Sequence, residues 1–269
     1  MLNTPMDIFK LLKKNNCRDC NEKTCLAFAA AVHQGRKQLS DCPHIPPEIL
    51  SQYNVQTGNS YEQSMQDMID SLKAKLSQIN LADAANRIQG HYSSPWLTLK
   101  IFGKDFRVDA SGNFSTDIHV NPWVVVPLLQ HILQASSASV SGKWVTFREL
   151  QGGKSRFALY EQRFQKELKR IADNFTDMFK DLIHIFNGRE LETSASDISE
   201  LNQPDIALIL HPFPKIPILI SYWKPEEDLS STINIFFDQM VHEQLDTESL
   251  YALLAGLLQM FDRLAKRHG

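Results

Sequence analysis

Four cysteines lie near the start of the sequence, and the rest of the chain contains none. They are Cys17, Cys20, Cys25 and Cys42, and their pattern is C-x2-C-x4-C-x16-C. A thiolate is a strong nucleophile and a soft metal ligand, so four thiols in so short a segment indicate chemistry at sulfur. That chemistry is the ligation of a metal ion or cluster, or the formation of disulfides.

Disulfides, a structural zinc ion and solitary core cysteines are three possible explanations of this pattern. Disulfides require an oxidising compartment, but residues 1–14 lack the continuous apolar stretch of a secretory signal, and Cys17 and Cys20 would close a very short loop. Structural zinc sites usually present two close pairs of ligands, and here the second pair is missing. These arguments disfavour disulfides and zinc without removing either.

An iron-sulfur cluster of the [4Fe-4S] type fits the spacing better. The cluster is larger than a single ion, so three ligands can come from a compact loop and a distant fourth can complete the set. Thr24 is a favourable N-cap, which predicts that Cys25 begins a helix whose free N–H groups face the negative cluster. Pro43 follows Cys42, as in the Cys-Pro ending of ferredoxin motifs.

Basic residues flank the cysteines, namely Lys13, Lys14, Arg18 and Lys23. They would compensate the charge of a cluster or form a docking surface for an acidic redox partner, and a solvated surface without function is the alternative. The net charge of -3 provides no broad basic field, so nucleic acid is not an expected partner.

The elements that must position the cysteines fall into two unequal parts. Residues 1–45 form the predicted [4Fe-4S] module, residues 46–60 are rich in Pro, Ser, Asn and Gln and are predicted to be a linker, and residues 61–269 form the larger domain. The longest apolar stretch, residues 206–223, contains prolines and a lysine, so no membrane span is expected. Without a secretory signal, the protein is expected in the cytoplasm.

The larger domain is predicted to have an α+β fold with antiparallel strands. The spacing of apolar residues predicts helices over 61–80, from Pro122, within 154–186 and over 247–267. Alternation around Gly103 and Gly112 predicts an antiparallel meander of three strands. Further strands are predicted within 205–223 and from Thr232.

Few other residues suggest chemistry. The histidines lack the i, i+4 spacing of a helical metal site, and the sequence has no phosphate-binding loop or nucleophile elbow. His44 would tune a cluster or relay a proton, with an ordinary linker histidine as the alternative. Trp223 and Asp238 would line a pocket at strand ends, with a core-edge Trp and a turn-forming Asp as the alternative.

The cysteine segment resembles the four-cysteine iron-sulfur module at the N-terminus of the large subunit of the corrinoid iron-sulfur protein of acetyl-CoA synthesis. It is also similar to the module in the B subunit of ion-translocating ferredoxin-oxidoreductase complexes. The matching residues are 8–12, 16–17, Cys20, 24–29, Leu39 and 41–43. One departure is Arg18-Asp19, where a Gly-containing pair is common. The resemblance implies a [4Fe-4S] cluster held by the four cysteines.

The remainder resembles a domain of unknown function that accompanies this module in proteins of anaerobic bacteria and archaea. The resemblance rests on residues 141–150, 214–217, 236–238 and 247–250, and it implies no chemical role. We therefore expect a redox accessory protein of anaerobic metabolism whose cluster passes single electrons to a protein partner. One alternative is an enzyme whose α+β domain binds a substrate or a corrinoid-type cofactor reduced by the cluster. The other is a structural or sensing cluster in an interaction protein.

Overall fold

The chain divides into two units, Met1–Asp70 and Ser71–Gly269. A computed structural model describes residues 4–33, 37–53, 59–118, 120–191, 203–227 and 229–268. Helices and antiparallel sheets together make the predicted α+β fold. Among the described helices, none is long and apolar enough to cross a membrane.

The first unit is helical over its described residues. Its elements are α1 (Pro5–Lys10), α2 (Cys25–His33), α3 (Pro47–Tyr53) and the first part of α4 (Asn59–Leu76), within which the division between the units lies. Thr4 starts α1 through a capping box, in which its hydroxyl accepts from the Asp7 N–H and the Asp7 carboxylate accepts from the Thr4 N–H. Pro5 follows at the first helical position, where it needs no hydrogen bond.

The stretch 46–60, predicted to be a linker, contains α3 and the start of α4. Residues 54–58 of this stretch lie outside the described residues. Pro46 and Pro47 explain the difference, because Pro47 begins α3 and the Pro46 carbonyl accepts from the N–H groups of Ile49 and Leu50. A proline pair therefore starts a helix here, although the same residues are also typical of linkers.

The core of the first unit combines hydrocarbon side chains with cysteines. Its buried members are Ile8, Leu12, Cys20, Cys25, Phe28, Ala29, Val32, Leu39, Cys42 and Ile45. Three of the four cysteines therefore lie among apolar side chains, where water is largely excluded.

The second unit contains two antiparallel sheets. The first has the order β1-β2-β3-β4, and its strands are β1 (His91–Ser93), β2 (Trp96–Ile101), β3 (Lys104–Val108) and β4 (Phe114–Thr116). The three strands predicted around Gly103 and Gly112 correspond to β2, β3 and β4, and the sheet has one strand more. The additional strand, β1, is short and exposed, and it pairs with β2 through a tight turn at Ser94-Pro95.

The second sheet has the order β5-β9-β8-β7-β6. Its strands are β5 (Trp144–Thr146), β6 (Arg189–Glu190), β7 (Ile206–Phe213), β8 (Ile216–Trp223) and β9 (Thr232–Asp238). The three long central strands were predicted, because they are rich in β-branched and aromatic residues. The two edge strands were not, because two or three residues are too few to show an alternating pattern.

The remaining helices of the described chain are α5 (Leu81–Ile88), α6 (Pro122–Gln134), α7 (Gly153–Tyr160), α8 (Lys166–Asn174), α9 (Thr176–Ile185) and α10 (Thr247–His268). The long helix predicted within 154–186 is divided. A π-helical turn, Glu161–Gln165, joins α7 to α8, and Phe175 leaves the helical region with φ -138° and ψ 48°. The helices predicted from Pro122 and over 247–267 correspond to α6 and α10.

Candidate metal centre

The four cysteines come from three segments of the first unit. Cys17 and Cys20 lie in the loop between α1 and α2, Cys25 is the first residue of α2, and Cys42 follows a 3-10 turn, Leu39–Asp41. All four are free thiols. Cys20, Cys25 and Cys42 are 8%, 9% and 8% exposed, and Cys17 is the least buried of the set.

The thiols are close enough to act on one another electrostatically. Burial raises the pKa of the Cys42 thiol, and the charges of Cys20, Cys17 and Cys25 raise it further, although the His44 N–H opposes this by donating to the Cys42 sulfur. Four thiolates that repel one another in a poorly hydrated core require a compensating positive charge. The donor set therefore fits a thiolate-bound cluster or soft metal ion.

The start of α2 lies where the sequence predicted it. Thr24 caps the helix, because its hydroxyl accepts from the Ala27 N–H at 3.0 Å. The Cys25 N–H, however, donates to Asn16 Oδ1 at 2.8 Å. The N–H groups of Cys25 and Ala27 are thus already bonded to side-chain oxygens. The prediction that the free N–H groups at the start of α2 face a cluster is wrong for these two residues.

The loop before α2 is folded by residues in the left-handed region. Lys14, Asn16, Arg18 and Asn21 have φ values of 61°, 51°, 69° and 59°. Asparagine adopts this conformation more readily than most residues, but an arginine adopts it at a cost of about 1 kcal/mol. Arg18 stands where a Gly-containing pair is common in the similar modules, and its φ explains that preference.

Asp19 and His44 connect this loop to the segment after Cys42. His44 Nε2 lies 2.6 Å from Asp19 Oδ2. This bond lowers the pKa of Asp19, and a weaker contact with the Cys17 thiol acts in the same direction. The donor atoms of Cys17, Asp19 and His44 all lie within 4.8 Å of one another, so these residues could also take part in holding a cation. The structure gives His44 a specific partner, unlike an ordinary linker histidine.

Lys37 provides another connection to the cysteine loop. Its ammonium donates to the Cys20 carbonyl at 2.5 Å, and its backbone N–H donates to the Ala31 carbonyl at 3.3 Å. The sequence did not identify Asn16, Asp19 or Lys37 as site residues. Their contacts join residues far apart in sequence, and spacing carries no signal for such pairs.

Asp238 has a structural role at the end of β9. Its carboxylate accepts from the Ser141 and Gly142 N–H groups at 3.1 and 2.7 Å, from the Ser141 hydroxyl and from the Met240 N–H. These bonds close the loop before β5 and cap the 3-10 turn after β9. These contacts support the interpretation of Asp238 as a turn-forming residue rather than as part of a pocket. Trp223 ends β8, where it pairs with Thr232 of β9.

Two protein families match this chain. The model of the family described as "Putative Fe-S cluster" matches residues 12–44, which include all four cysteines. The model of the family described as "Domain of unknown function (DUF3786)" matches residues 80–260, more than half of the chain. No solved structure matches the chain significantly.

Curated relatives match only the cysteine segment. The acetyl-CoA decarbonylase/synthase complex subunit gamma of Methanothermobacter thermautotrophicus is 45% identical over 42 residues, which are 16% of this chain and 9% of that protein. The corrinoid/iron-sulfur protein large subunit of Moorella thermoacetica is 43% identical over 42 residues, with the same two shares. Subunit gamma 1 of Methanosarcina thermophila is 38% identical over 47 residues, which are 18% of this chain and 10% of that protein. The matched segment thus spans about a tenth of the curated relatives.

Proposed function

The chain belongs to the family described as "Domain of unknown function (DUF3786)", and we propose that it is a [4Fe-4S] electron-transfer protein of anaerobic metabolism. Its N-terminal segment matches an iron-sulfur family and is similar to iron-sulfur proteins, which supports a cluster in this chain. We assign the ligands to Cys17, Cys20, Cys25 and Cys42. The cluster module comprises residues 1–45, and the α+β domain comprises residues 61–269.

One observation carries the assignment of the ligands. Cys20, Cys25 and Cys42 belong to one buried cluster of the first unit, and Cys17 lies in the same loop as Cys20. The pattern of a compact triad and a distant fourth cysteine favours a cube over a single zinc ion. The 3-10 turn before Cys42 returns the chain to the loop of Cys17 and Cys20, which the Asp19 to His44 bond reinforces.

The surroundings of the thiols favour electron transfer. A [4Fe-4S] cluster, when bound, accepts and releases single electrons. Apolar neighbours such as Phe28 and Ile45 limit the access of water, and the His44 N–H donates to the Cys42 sulfur, which stabilises negative charge there. Cys17, the least buried ligand, is the natural point of exit for an electron.

We propose that the partner is an acidic redox protein of the cytoplasm. Lys13, Lys14, Arg18 and Lys23, here called the basic rim, are all exposed and surround the cysteine loop in sequence. Within the described residues, none of the four forms an ion pair. The Lys14 ammonium lies 5.6 Å from the centroid of the Phe9 ring. A basic surface beside the most exposed ligand would steer an acidic partner toward it.

Anaerobic redox titration tests this function. The protein is purified without oxygen, and its absorption and electron paramagnetic resonance spectra are recorded during reduction with dithionite. We expect broad visible absorption that bleaches on reduction and the appearance of a paramagnetic signal. A cluster that dithionite cannot reduce would exclude electron transfer and leave a structural role.

A further inference from the structure

Helix α2 is tied to the cysteine loop at both of its ends by side chains that are not cysteines. At its start, Asn16 Oδ1 accepts from the Cys25 N–H at 2.8 Å. Beyond its end, Lys37 reaches back and donates from Nζ to the Cys20 carbonyl at 2.5 Å. Each bond therefore fixes the backbone of one buried cysteine relative to the segment that carries another.

Asn16 provides a hydrogen-bond partner for an N–H group at the start of α2. The first N–H groups of a helix have no partner within it, so the Cys25 N–H would otherwise depend on water. Asn16 is placed for this by its left-handed backbone, with φ 51°, and it directly precedes Cys17. The bond thus sets the separation between the loop of Cys17 and Cys20 and the start of α2 at Cys25.

The Lys37 bond is charge-assisted, which makes it stronger than a bond between neutral groups. Lys37 is half-buried, in contrast to the four exposed residues of the basic rim. Its backbone N–H is anchored on the Ala31 carbonyl at the end of α2, so the side chain is held where it can reach the loop. Lys37 therefore fixes the Cys20 backbone rather than lying free in solvent.

We infer that Asn16 and Lys37 are positioning residues that hold Cys25 and Cys20 in the conformation that binds the cluster. This inference rests on the proposed function. Neither side chain needs to contact the cluster, because each acts on the backbone of a ligand. Outer groups that orient metal ligands typically change metal affinity by about tenfold or more when they are removed.

Asn16 is tested with three variants and a matched control. Asn16→Ala removes the acceptor, Asn16→Asp keeps an oxygen at the same place, and Asn16→Ser keeps a shorter oxygen if Asn16→Ala does not fold. Asn21→Ala is the control, because Asn21 has a φ of 59° in the same loop but no side-chain hydrogen bond within the described residues. We expect iron to pass to a chelator about threefold to tenfold faster in Asn16→Ala, with Asn16→Asp and Asn21→Ala close to wild type.

Lys37 is tested in the same way. Lys37→Met removes the donor, Lys37→Arg retains one, and Lys10→Met removes an exposed lysine of α1, outside the basic rim, as the control. We expect iron release to be about tenfold faster in Lys37→Met and near the wild-type rate in the other two. If Lys37 acted only through its charge, Lys37→Met and Lys10→Met would shift the reduction potential alike and leave release unchanged.

Backbone hydrogen exchange gives a readout that does not depend on metal. The Cys25 amide should exchange faster in Asn16→Ala than in wild type, and Asn16→Asp should restore its protection. Equal exchange and equal metal release in Asn16→Ala, Asn21→Ala and wild type would overturn the inference for Asn16. A wild-type protein without iron would instead refute the proposed function, and the exchange experiment would still decide whether Asn16 holds Cys25.

Discussion

His44 Nε2 donates to Asp19 Oδ2 at 2.6 Å, and this bond spans 25 positions of the chain. Asp19 lies between Cys17 and Cys20, and His44 lies two residues after Cys42. The bond therefore joins the compact part of the cysteine set to its distant fourth member. It fixes the segment of Cys42 relative to the cysteine loop, as Asn16 and Lys37 fix the backbones of Cys25 and Cys20.

Replacement of Asp19 should weaken the hold on Cys42. In Asp19→Ala we expect iron to pass to a chelator faster than in wild type, by roughly fivefold at most, because the pair is partly exposed to solvent. Glu22→Ala, a change of the same charge in the same loop, is the control. Release that is equally fast in both variants would show that the loss of negative charge, and not the loss of the bond, is responsible.

The basic rim should govern the rate of reaction with an acidic partner. The probe is a small acidic ferredoxin in its reduced form, mixed anaerobically with the oxidised protein in a stopped-flow instrument. The test variant carries Lys13→Gln, Lys14→Gln, Arg18→Gln and Lys23→Gln. Because steering depends on charge, we expect this variant to react about tenfold more slowly at low salt, and salt to slow the wild type.

The control for the basic rim carries the same number of neutralised basic residues, all of them in the second unit. Its substitutions are Lys104→Gln, Lys143→Gln, Lys154→Gln and Lys166→Gln, all at exposed positions. We expect a rate close to that of wild type, since these residues lie outside the unit that holds the cysteines. An equal loss of rate in both variants would mean that net charge matters and that the basic rim is not a docking surface.

Lys215 should contribute strongly to the stability of the second unit. It is 4% exposed, and its ammonium donates to the carbonyls of Ser136, Ser137 and Ala138, which follow α6. Lys215→Met leaves these part-buried carbonyls without the charged donor, so we expect the free energy of unfolding to fall by about 1–3 kcal/mol. Urea titration followed by tryptophan fluorescence measures this, because all four tryptophans belong to the second unit.

Lys154→Met is the matched control for Lys215, since Lys154 lies on the surface of α7. Its free energy of unfolding should differ from wild type by less than about 0.5 kcal/mol. Similar losses in the two variants would contradict the view that the three carbonyl contacts stabilise this part of the fold.

His131 should make the second unit less stable in acid. It is fully buried on α6, where its Nδ1–H donates to the Gln244 carbonyl at 2.9 Å and its ring stacks on Phe213. Burial lowers the pKa of His131 to about 4, and the positive charges of Lys215 and Arg87 act in the same direction. The unfolded chain, with a histidine pKa of about 6.5, therefore binds a proton that the folded chain does not between these values.

This difference in proton binding determines how the free energy of unfolding changes with pH. The free energy of unfolding should fall as the pH decreases from about 6.5 to about 4, by up to about 3 kcal/mol, and His131 should add no pH dependence above that range. The measurement compares wild type with His131→Leu by urea titration at about pH 7 and pH 5. A loss on acidification that is as large in His131→Leu as in wild type would contradict this assignment.

The sequence predicted those features that depend on local residue types. The start of α2 at Cys25 followed from Thr24, and the long strands β7, β8 and β9 followed from their apolar composition. The iron-sulfur character followed from the spacing of the cysteines and from the similarity of residues 12–44 to a family of that kind. The ligand set itself and the [4Fe-4S] type stay predictions.

The contacts that organise the site could not be predicted in this way. Asn16 and Cys25 are nine positions apart, and Lys37 and Cys20 are 17 apart, so neither pair falls within a helical turn or a strand pairing. Such bonds depend on the left-handed loop, whose residues include Lys14 and Arg18, both unusual in that conformation. The break at Phe175 was missed for a related reason, because the apolar spacing continues across it.

The central claim is that Cys17, Cys20, Cys25 and Cys42 hold a [4Fe-4S] cluster, and iron and sulfide counts test it most directly. Wild type and Cys25→Ser are purified without oxygen, and tryptophan fluorescence confirms that the second unit remains folded in both. We predict about four irons and four sulfides per wild-type chain and a loss of most of the iron in Cys25→Ser. Zinc or no metal in the wild type, or a full cluster in Cys25→Ser, would contradict the claim.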